Sequence, residues 1–317
     1  MISQKPNNES HPFFSVILPT YNRAHLIAQT LKSIFDQTFF DFEVIVVDDG
    51  STDGSDSVVQ QFPNAKLLRQ KNAGPGQARN TGASAAKGKY LAFLDSDDLW
   101  LPWALKTYHQ VLTENPAVVF LAGKQQTFED TTQLKSVDQL PLEYETFPDY
   151  IASCDQWRWF GVSSFVIERI AFLEAGGFAK ENANGEDAEL ALQLGCAGEF
   201  ADVSQPITFG YRVHQSNIAT DITKNLVSSR KLIDFEREQR FPGGKDRAAE
   251  RRQIISRHIR PCVISCLRSG RLAAGAELYR KTFLWNLMEK RFKFLLAAPV
   301  FAVLNNKEKT AKERSHA

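Results

Sequence analysis

The stretch Glu43-Val44-Ile45-Val46-Val47-Asp48-Asp49-Gly50-Ser51 sets a continuous β-branched run against an acidic turn, and the pattern returns at Tyr90-Leu91-Ala92-Phe93-Leu94-Asp95-Ser96-Asp97-Asp98. Such runs read as strands buried on both faces, the kind found in parallel sheets covered by helices. Their carboxylates then emerge at the C-terminal ends of the strands, where open α/β sheets bind ligands. A third acidic pair, Gly185-Glu186-Asp187, opens a later helical pattern. Carboxylates packed this closely repel one another unless a hard divalent metal or a cationic ligand offsets them, and Mg²⁺ or Mn²⁺ bridging a diphosphate is the usual solution for such oxygen ligands.

Working outward, Phe14 to Leu18 is another apolar run, closed by Pro19-Thr20-Tyr21-Asn22, with Asn22 offered as the N-cap of a following helix. That helix places Ile27, Leu31, Ile34 and Phe35 on one face. Asp53 caps a short helix carrying Val58, Val59 and Phe62, and a strand around Lys66 to Leu68 follows. A small-residue helix through Ala78, Gly82 and Ala85 precedes the strand Tyr90 to Leu94. This βαβα order implies a mainly parallel, twisted sheet with right-handed crossovers. Pro102 suits the first turn of a helix bearing Leu105, Tyr108 and Leu112, and Val118 to Leu121 is a further buried strand. Between Thr127 and Phe160 the periodicity weakens, which predicts a loop or lid. Further strands are expected at Ser163 to Ile167 and Ile207 to Val213, and basic amphipathic helices beyond Gln215, broken at Pro242-Gly243-Gly244.

The chain has 317 residues, 43% of them hydrophobic, enough for a substantial core. The first twelve residues have no apolar core, so they predict neither a secretory signal nor a membrane span, and a cytoplasmic protein is expected. Cys154, Cys196, Cys262 and Cys266 lack the spacing of a disulfide framework or a structural zinc site and read as small buried hydrophobes. The net charge is +1, but residues 245 to 317 carry seventeen Lys or Arg against six Asp or Glu, eleven more positive than negative, so the rest of the chain is at −10. An acidic, cation-demanding front is thus joined to a basic tail suited to an anionic surface.

Taken as a set, Pro19-Thr20-Tyr21-Asn22, Val47-Asp48-Asp49-Gly50-Ser51-Thr52-Asp53, Asn72-Ala73-Gly74-Pro75, Ala78-Arg79-Asn80-Thr81-Gly82, Leu94-Asp95-Ser96-Asp97-Asp98 and Gly185-Glu186-Asp187 resemble family 2 glycosyltransferases of the GT-A fold, over about residues 13 to 214. The resemblance implies an inverting transfer of a sugar from a nucleotide-diphosphate donor, with a UDP-sugar favoured and Mn²⁺ or Mg²⁺ as cofactor. It implies a GT-A-type, mostly parallel nucleotide-binding sheet flanked by helices, with a helical C-terminal extension. The expected divisions are a disordered tail at 1–12, a catalytic domain at 13–225 (nucleotide half about 13–122, acceptor half about 123–225), and a basic helical extension at 226–317.

By the same resemblance Asp49, Thr20, Tyr21 and Pro19 form the base pocket, and Arg79 reaches the nucleotide. The metal and ribose fall to Asp95, Ser96 and Asp97, with His214 of Tyr211-Arg212-Val213-His214 able to approach the metal. Asp187 is the base that takes a proton from the acceptor hydroxyl, with Glu186 beside it, and Trp157, Trp159, Ser163 and Ser164 lie on the acceptor side.

Taken one by one, these motifs also have plain structural readings. Asp48-Asp49-Gly50-Ser51 can be a carboxylate-capped turn, Arg79 a salt-bridging arginine, Asp98 a favourable acid before a helix, and Glu186-Asp187 acids complementing a helix dipole. Two departures from the family's commoner pattern, Ala188 and Ala191 in place of aromatic residues and Gln193 in place of arginine, bear on acceptor type. Gly74-Pro75-Gly76-Gln77-Ala78-Arg79 is not a dinucleotide fingerprint, because Arg79 stands at the third glycine. The rival readings are a sugar-phosphate nucleotidyltransferase, which needs a glycine-rich basic loop after its first strand that Pro19-Thr20-Tyr21-Asn22-Arg23 does not provide, and a non-catalytic sugar-nucleotide-binding protein. The acceptor is expected to be a saccharide or lipid-linked saccharide in polysaccharide or glycoconjugate synthesis, with no nucleic acid partner. Phe292 to Leu304 is apolar, flanked by lysine and arginine and too short to span a bilayer, so contact with the inner face of an anionic membrane is weighed against packing of a last helix.

Overall fold

A computed structural model describes residues 11–154, 161–179, 185–213 and 221–301. Strands β1 (Phe14–Thr20), β2 (Phe42–Asp48), β3 (Ala65–Arg69) and β4 (Tyr90–Phe93) alternate with helices α1 (Ile27–Phe35), α2 (Ser55–Val59) and α3 (Pro75–Ala85). Then come β5 (Leu99–Trp100), α4 (Ala104–Glu114), β6 (Val118–Phe128), α5 (Thr132–Lys135), β7 (Glu143–Phe147), β8 (Phe165–Glu168), α6 (Arg169–Glu174), α7 (Glu186–Gln193) and β9 (Glu199–Arg212). Helices α8 (Ile222–Arg237), α9 (Ala248–Arg268) and α10 (Leu272–Met288) follow, and residues 292–301 are helical.

The sheet order is β3-β2-β1-β4-β8-β6-β9-β5, with β7 paired to β9. Strands β3, β2, β1 and β4 run parallel, as the continuous apolar runs of β1, β2 and β4 predict, whereas β8 is antiparallel to both β4 and β6, and β5 to β9. Two compact units are distinct, residues 1–146, 159–180 and 201–213 forming the first and 147–158, 181–200 and 214–317 the second.

In the first unit β1 is buried along its whole length because both faces are covered. Val16, Leu18, Val44 and Val46 join Ile27, Leu31 and Ile34 of α1 and Leu105, Tyr108 and Leu112 of α4 in one core. The opposite face meets α3 so closely that a Cβ on Gly82 would lie 2.6 Å from Ile17 Cγ2. The small residues of α3 are thus a packing requirement. In the second unit Arg251 and Glu236 form a sealed pair, Nε to Oε2 2.7 Å, and Arg251 also donates to the carbonyls of Pro242 and Gly244. The break between α8 and α9 is therefore held by α9 itself.

Several local expectations are corrected. Asn22 does not cap α1: it takes a left-handed backbone (φ 51°), and its side chain accepts the Thr52 N–H at 2.9 Å, tying the loop after β1 to the loop after β2. The predicted loop between Thr127 and Phe160 contains α5 and β7, the latter recruited as a partner of β9. The polar segment Lys124–Thr127 continues β6, because β9 lies beside it in the sheet. Cys262 and Cys266 are buried as expected, but Cys196 is exposed. Trp157 and Trp159 lie outside the described residues.

Candidate functional site

Parallel register collects the acidic motifs at one edge. Thr20 pairs with Asp48 and Ile17 with Phe93, so the residues after β1, β2 and β4 leave the sheet side by side. Pro19 and Thr20 end β1, Tyr21 is exposed, and the buried Thr20 hydroxyl has no hydrogen-bond partner among the described residues. A buried hydroxyl without a partner is costly unless a ligand or water supplies one.

The two aspartates of the β2 turn do different work. Asp48 accepts the Ser51 N–H at 2.9 Å and faces Arg69 at 3.5 Å, so it is the turn-closing carboxylate. Asp49 accepts Gln70 Nε2 (2.7 Å) and the backbone N–H groups of Ala73 and Gly74 (both 2.9 Å), and so shapes the loop ahead of α3. Gly50 and Gly74 have φ of 83° and 93°, which a side chain would strain.

Each residue of Arg79-Asn80-Thr81-Gly82 has a separate task on α3. Arg79 is buried, donates to Asp95 Oδ1 and lies 5.1 Å from the centre of the Phe178 ring. Asn80 clamps the Phe178 backbone from both sides, donating to its carbonyl and accepting its N–H at 2.9 Å. Thr81 donates to Gln70 Oε1, the side chain that also holds Asp49. The roles of Asn80, Thr81 and Gln70 are not visible in the sequence, because their partners lie up to 98 residues away.

The loop after β4 carries three carboxylates in three environments. Asp95 pairs with Arg79, and Asp97 Oδ2 with Arg23 Nε at 3.4 Å. Arg23, which sequence reasoning missed, is thereby part of the site. Asp98 is not an acid dressing a helix start: it is buried, with Oδ2 accepting the Ser163 hydroxyl (2.6 Å) and Oδ1 the Arg212 N–H (3.0 Å). Burial first, then the charges of Asp97 and Asp95, push its carboxyl well above the usual range, against the pull of Ser163 and Arg212. Arg212 closes the loop by donating Nε to the Asp97 carbonyl (2.7 Å) and Nη2 to Gln29 (2.9 Å). Burial lowers the Arg212 pKa, while Asp97 and Asp98 act to raise it. Ser96 is buried, and its carbonyl accepts the Thr30 hydroxyl at 3.0 Å.

The donor set suits a hard cation. Asp95 and Asp97 offer carboxylate oxygens whose charge is balanced by guanidinium groups, and among the described residues no three His, Cys, Asp or Glu side chains form a ready metal cage. Mg²⁺-type sites are commonly completed by substrate phosphates and water beside one or two carboxylates. His214 lies outside the described residues.

Glu186 and Asp187 belong to the second unit, in the first turn of α7. Gly185 starts the helix with φ 78°, where a Cβ would also come within 2.9 Å of Ser228 Oγ. Asp187 Oδ1 accepts the Ala188 N–H at 2.8 Å, and Glu189 behind them is fixed by Lys231 at 2.9 Å. Ala188 and Ala191 face the core.

Comparison with known proteins bears on the family and the fold. The profile of "Glycosyl transferase family 2" matches residues 15–173. An uncharacterized glycosyltransferase of Haemophilus influenzae is 31% identical over 233 residues, 71% of this chain and 76% of that protein. One of Rickettsia bellii is 30% identical over 197 residues, 61% of this chain, and the matched part spans 28% of that longer protein. The putative teichuronic acid biosynthesis glycosyltransferase TuaG of Bacillus subtilis is 34% identical over 143 residues, 44% of this chain and 56% of that one. In fold, Staphylococcus aureus TarS 1–349, solved with UDP-GlcNAc, superposes with TM-score 0.61 at 17% identity over 94% of this chain and 92% of that one. The mannosyltransferase PcManGT of Pyrobaculum calidifontis, solved with GDP-Man and Mn²⁺, gives TM-score 0.52 at 20% identity over 95% and 90% of the two chains.

Proposed function

The chain belongs to glycosyl transferase family 2 and is a glycosyltransferase, and from that premise we propose that it moves a sugar from a nucleotide-diphosphate donor, with a UDP-sugar favoured, to a hydroxyl acceptor with inversion and with a divalent metal. The observation that carries this reading is the pair Asp95 and Asp97 at the C-terminal edge of the parallel strands, each held by a guanidinium. The UDP-GlcNAc bound to TarS and the Mn²⁺ and GDP-Man bound to PcManGT support the ligand classes.

Asp49 already accepts three N–H donors of its own loop. A carboxylate has about four lone-pair sites, so one acceptor position is left for the imide N–H of uracil. Pro19 and Thr20 line the same edge, the Thr20 hydroxyl is available to a ligand group, and the exposed Tyr21 ring offers a face to the base. Asp97 and Asp95 would hold the metal, with His214 as the further ligand expected from the sequence, while Ser96 sets the loop and Arg79 orients Asp95 and would reach the nucleotide. A metal held there would supply positive charge against the donor diphosphate.

In the transfer itself the Asp187 carboxylate accepts the acceptor's proton as that oxygen bonds to the anomeric carbon, while the bond from that carbon to the diphosphate oxygen breaks. Glu186 orients the acceptor. A well-placed general base contributes roughly 10²- to 10⁴-fold. The acceptor is a saccharide or lipid-linked saccharide in cell-surface polysaccharide synthesis, a reading TuaG supports, and the place of work is the cytoplasm.

Two variants test this together by calorimetry and single-turnover transfer. Asp97→Asn should weaken binding of the nucleotide diphosphate with Mn²⁺ far more than without it, and Asp187→Asn should keep donor affinity while transfer falls by orders of magnitude. Equal affinity of Asp97→Asn and wild type in Mn²⁺ removes the metal assignment. Near-normal turnover in Asp187→Asn removes the base and favours a helix-dipole role for that carboxylate.

A further inference from the structure

Helix α10 is apolar on more faces than its own unit uses. Leu278, Thr282, Trp285 and Asn286 are buried, while on the other side Leu284 and Met288 are 66% and 72% exposed and Leu287 is also in solvent. The next helical stretch, 292–301, turns back onto the unit: Leu295 and Ala298 are buried, the Tyr279 hydroxyl donates to the Leu295 carbonyl at 2.9 Å, and Arg268 lies 4.9 Å from the centre of the Phe301 ring. Packing of a last helix, one of the two outcomes weighed from the sequence, is therefore real. It leaves Phe292, Leu296 and Val300, at i, i+4 and i+8, outside, with Leu296 73% exposed.

Of the fourteen exposed large apolar side chains among the described residues, seven lie between Phe283 and Val300. Isolated exposed leucines need no explanation, but a run of them does. An apolar helix face normally has a partner against it. The same segment exposes Lys290, Arg291 and Lys293, against Glu289, which Arg260 and Arg291 already pair.

Among the described residues no helix is long and apolar enough to cross a membrane. We propose that Leu284, Met288, Phe292, Leu296 and Val300, fringed by Lys290 and Lys293, dock in the headgroup region of an anionic lipid bilayer. The charge argues for lipid over a second copy of the chain, because an isologous pair would bring two basic fringes towards each other, whereas anionic lipid offsets each one as the apolar row is buried. The proposal needs only the surface of the second unit and stands apart from the donor, metal and base assignments.

Co-sedimentation of the full chain with vesicles tests it, comparing neutral phosphatidylcholine with the same lipid containing phosphatidylserine or phosphatidylglycerol, at low and high salt. Wild type should bind the anionic vesicles, and the bound fraction should fall with salt. The Leu284→Asp/Leu296→Asp pair should lose about tenfold in partition and Lys290→Gln/Lys293→Gln several-fold, with unchanged circular dichroism because all four positions are exposed. No binding to anionic vesicles overturns the proposal. So does equal binding by the Leu284→Asp/Leu296→Asp variant, or a wild-type dimer that this variant dissociates while vesicles stay unbound.

Discussion

Arginine–carboxylate pairs occur in both units, and their settings differ. In the second unit Arg251 and Glu236 are 0% and 1% exposed and the guanidinium is further saturated by two backbone carbonyls. In the first unit the carboxylates of Asp95 and Asp97 keep 33% and 21% of their surface in solvent, although Arg79 behind one of them is buried. A sealed pair has nothing to exchange with, and breaking it strands a buried charge. A pair open on its carboxylate side can trade one cation for another. Accessibility of the anion, not the presence of the pair, is what distinguishes a candidate site from a fastener.

The sharpest way to break this comparison is at Glu236. Glu236→Ala should cost roughly 3–5 kcal/mol, because Arg251 is left buried without its counter-ion. Urea denaturation measures the loss, and nucleotide affinity under native conditions should be unchanged. A loss of affinity without a loss of stability would reverse the roles given to the two kinds of pair.

A smaller effect is expected at Asp149, which Arg247 grips with two bonds of 2.8 and 2.9 Å. Burial acts to raise the Asp149 pKa, but the Arg247 hydrogen bonds and the Ala152 N–H outweigh it and hold the carboxyl below its usual range. The folded state therefore favours the ionised form. Its contribution is complete above the unfolded pKa of about 3.9 and fades as pH falls through the lower, folded value. Asp149→Asn should lose about 2 kcal/mol at neutral pH, and its stability curve should converge on wild type in acid. Curves that remain parallel to low pH would show that the carboxylate charge is not what Arg247 reads.

The smallest effect on stability belongs to Arg23. Arg23→Gln should leave unfolding free energy within about 0.5 kcal/mol, while Mn²⁺ binding to the nucleotide-free protein tightens by about fivefold, since a competing cation 3.4 Å from Asp97 is gone. Manganese titration followed by electron paramagnetic resonance gives the answer. Unchanged metal affinity with lowered stability would place Arg23 beside Arg251 as a fastener.

The parallel half of the sheet was legible because uninterrupted runs such as Val44 to Val47 have few alternatives once acidic turns close them. The strand-end location of the acidic motifs followed from that. What each carboxylate does was not legible. Asp48, Asp49 and Asp98 are told apart by Arg69, Gly74, Ser163 and Arg212, whose proximity is a product of the fold. Asn22 reads as a helix cap by residue type, and it was diverted because the loop after β2 offers it a donor, the Thr52 N–H. Strands β6 and β9 outran their apolar segments because pairing in a sheet, not burial alone, sets how far a polar strand extends.

The anchoring of Asp98 by Arg212 also has a consequence in time. The two are 114 residues apart, and the bond from Arg212 to Gln29 spans 183. Synthesis proceeds from the N-terminus, so strands β1 to β4 leave the ribosome and can begin to pair well before the residue that fastens their acidic loop exists. Contacts of such separation are also the slow ones to close. A nascent chain halted ahead of Arg212 would already carry the parallel strands and the Arg23, Arg79 and Ser163 partners of the loop after β4, but not the clasp on Asp98 and the Asp97 carbonyl, so that clasp is the last tie the loop acquires.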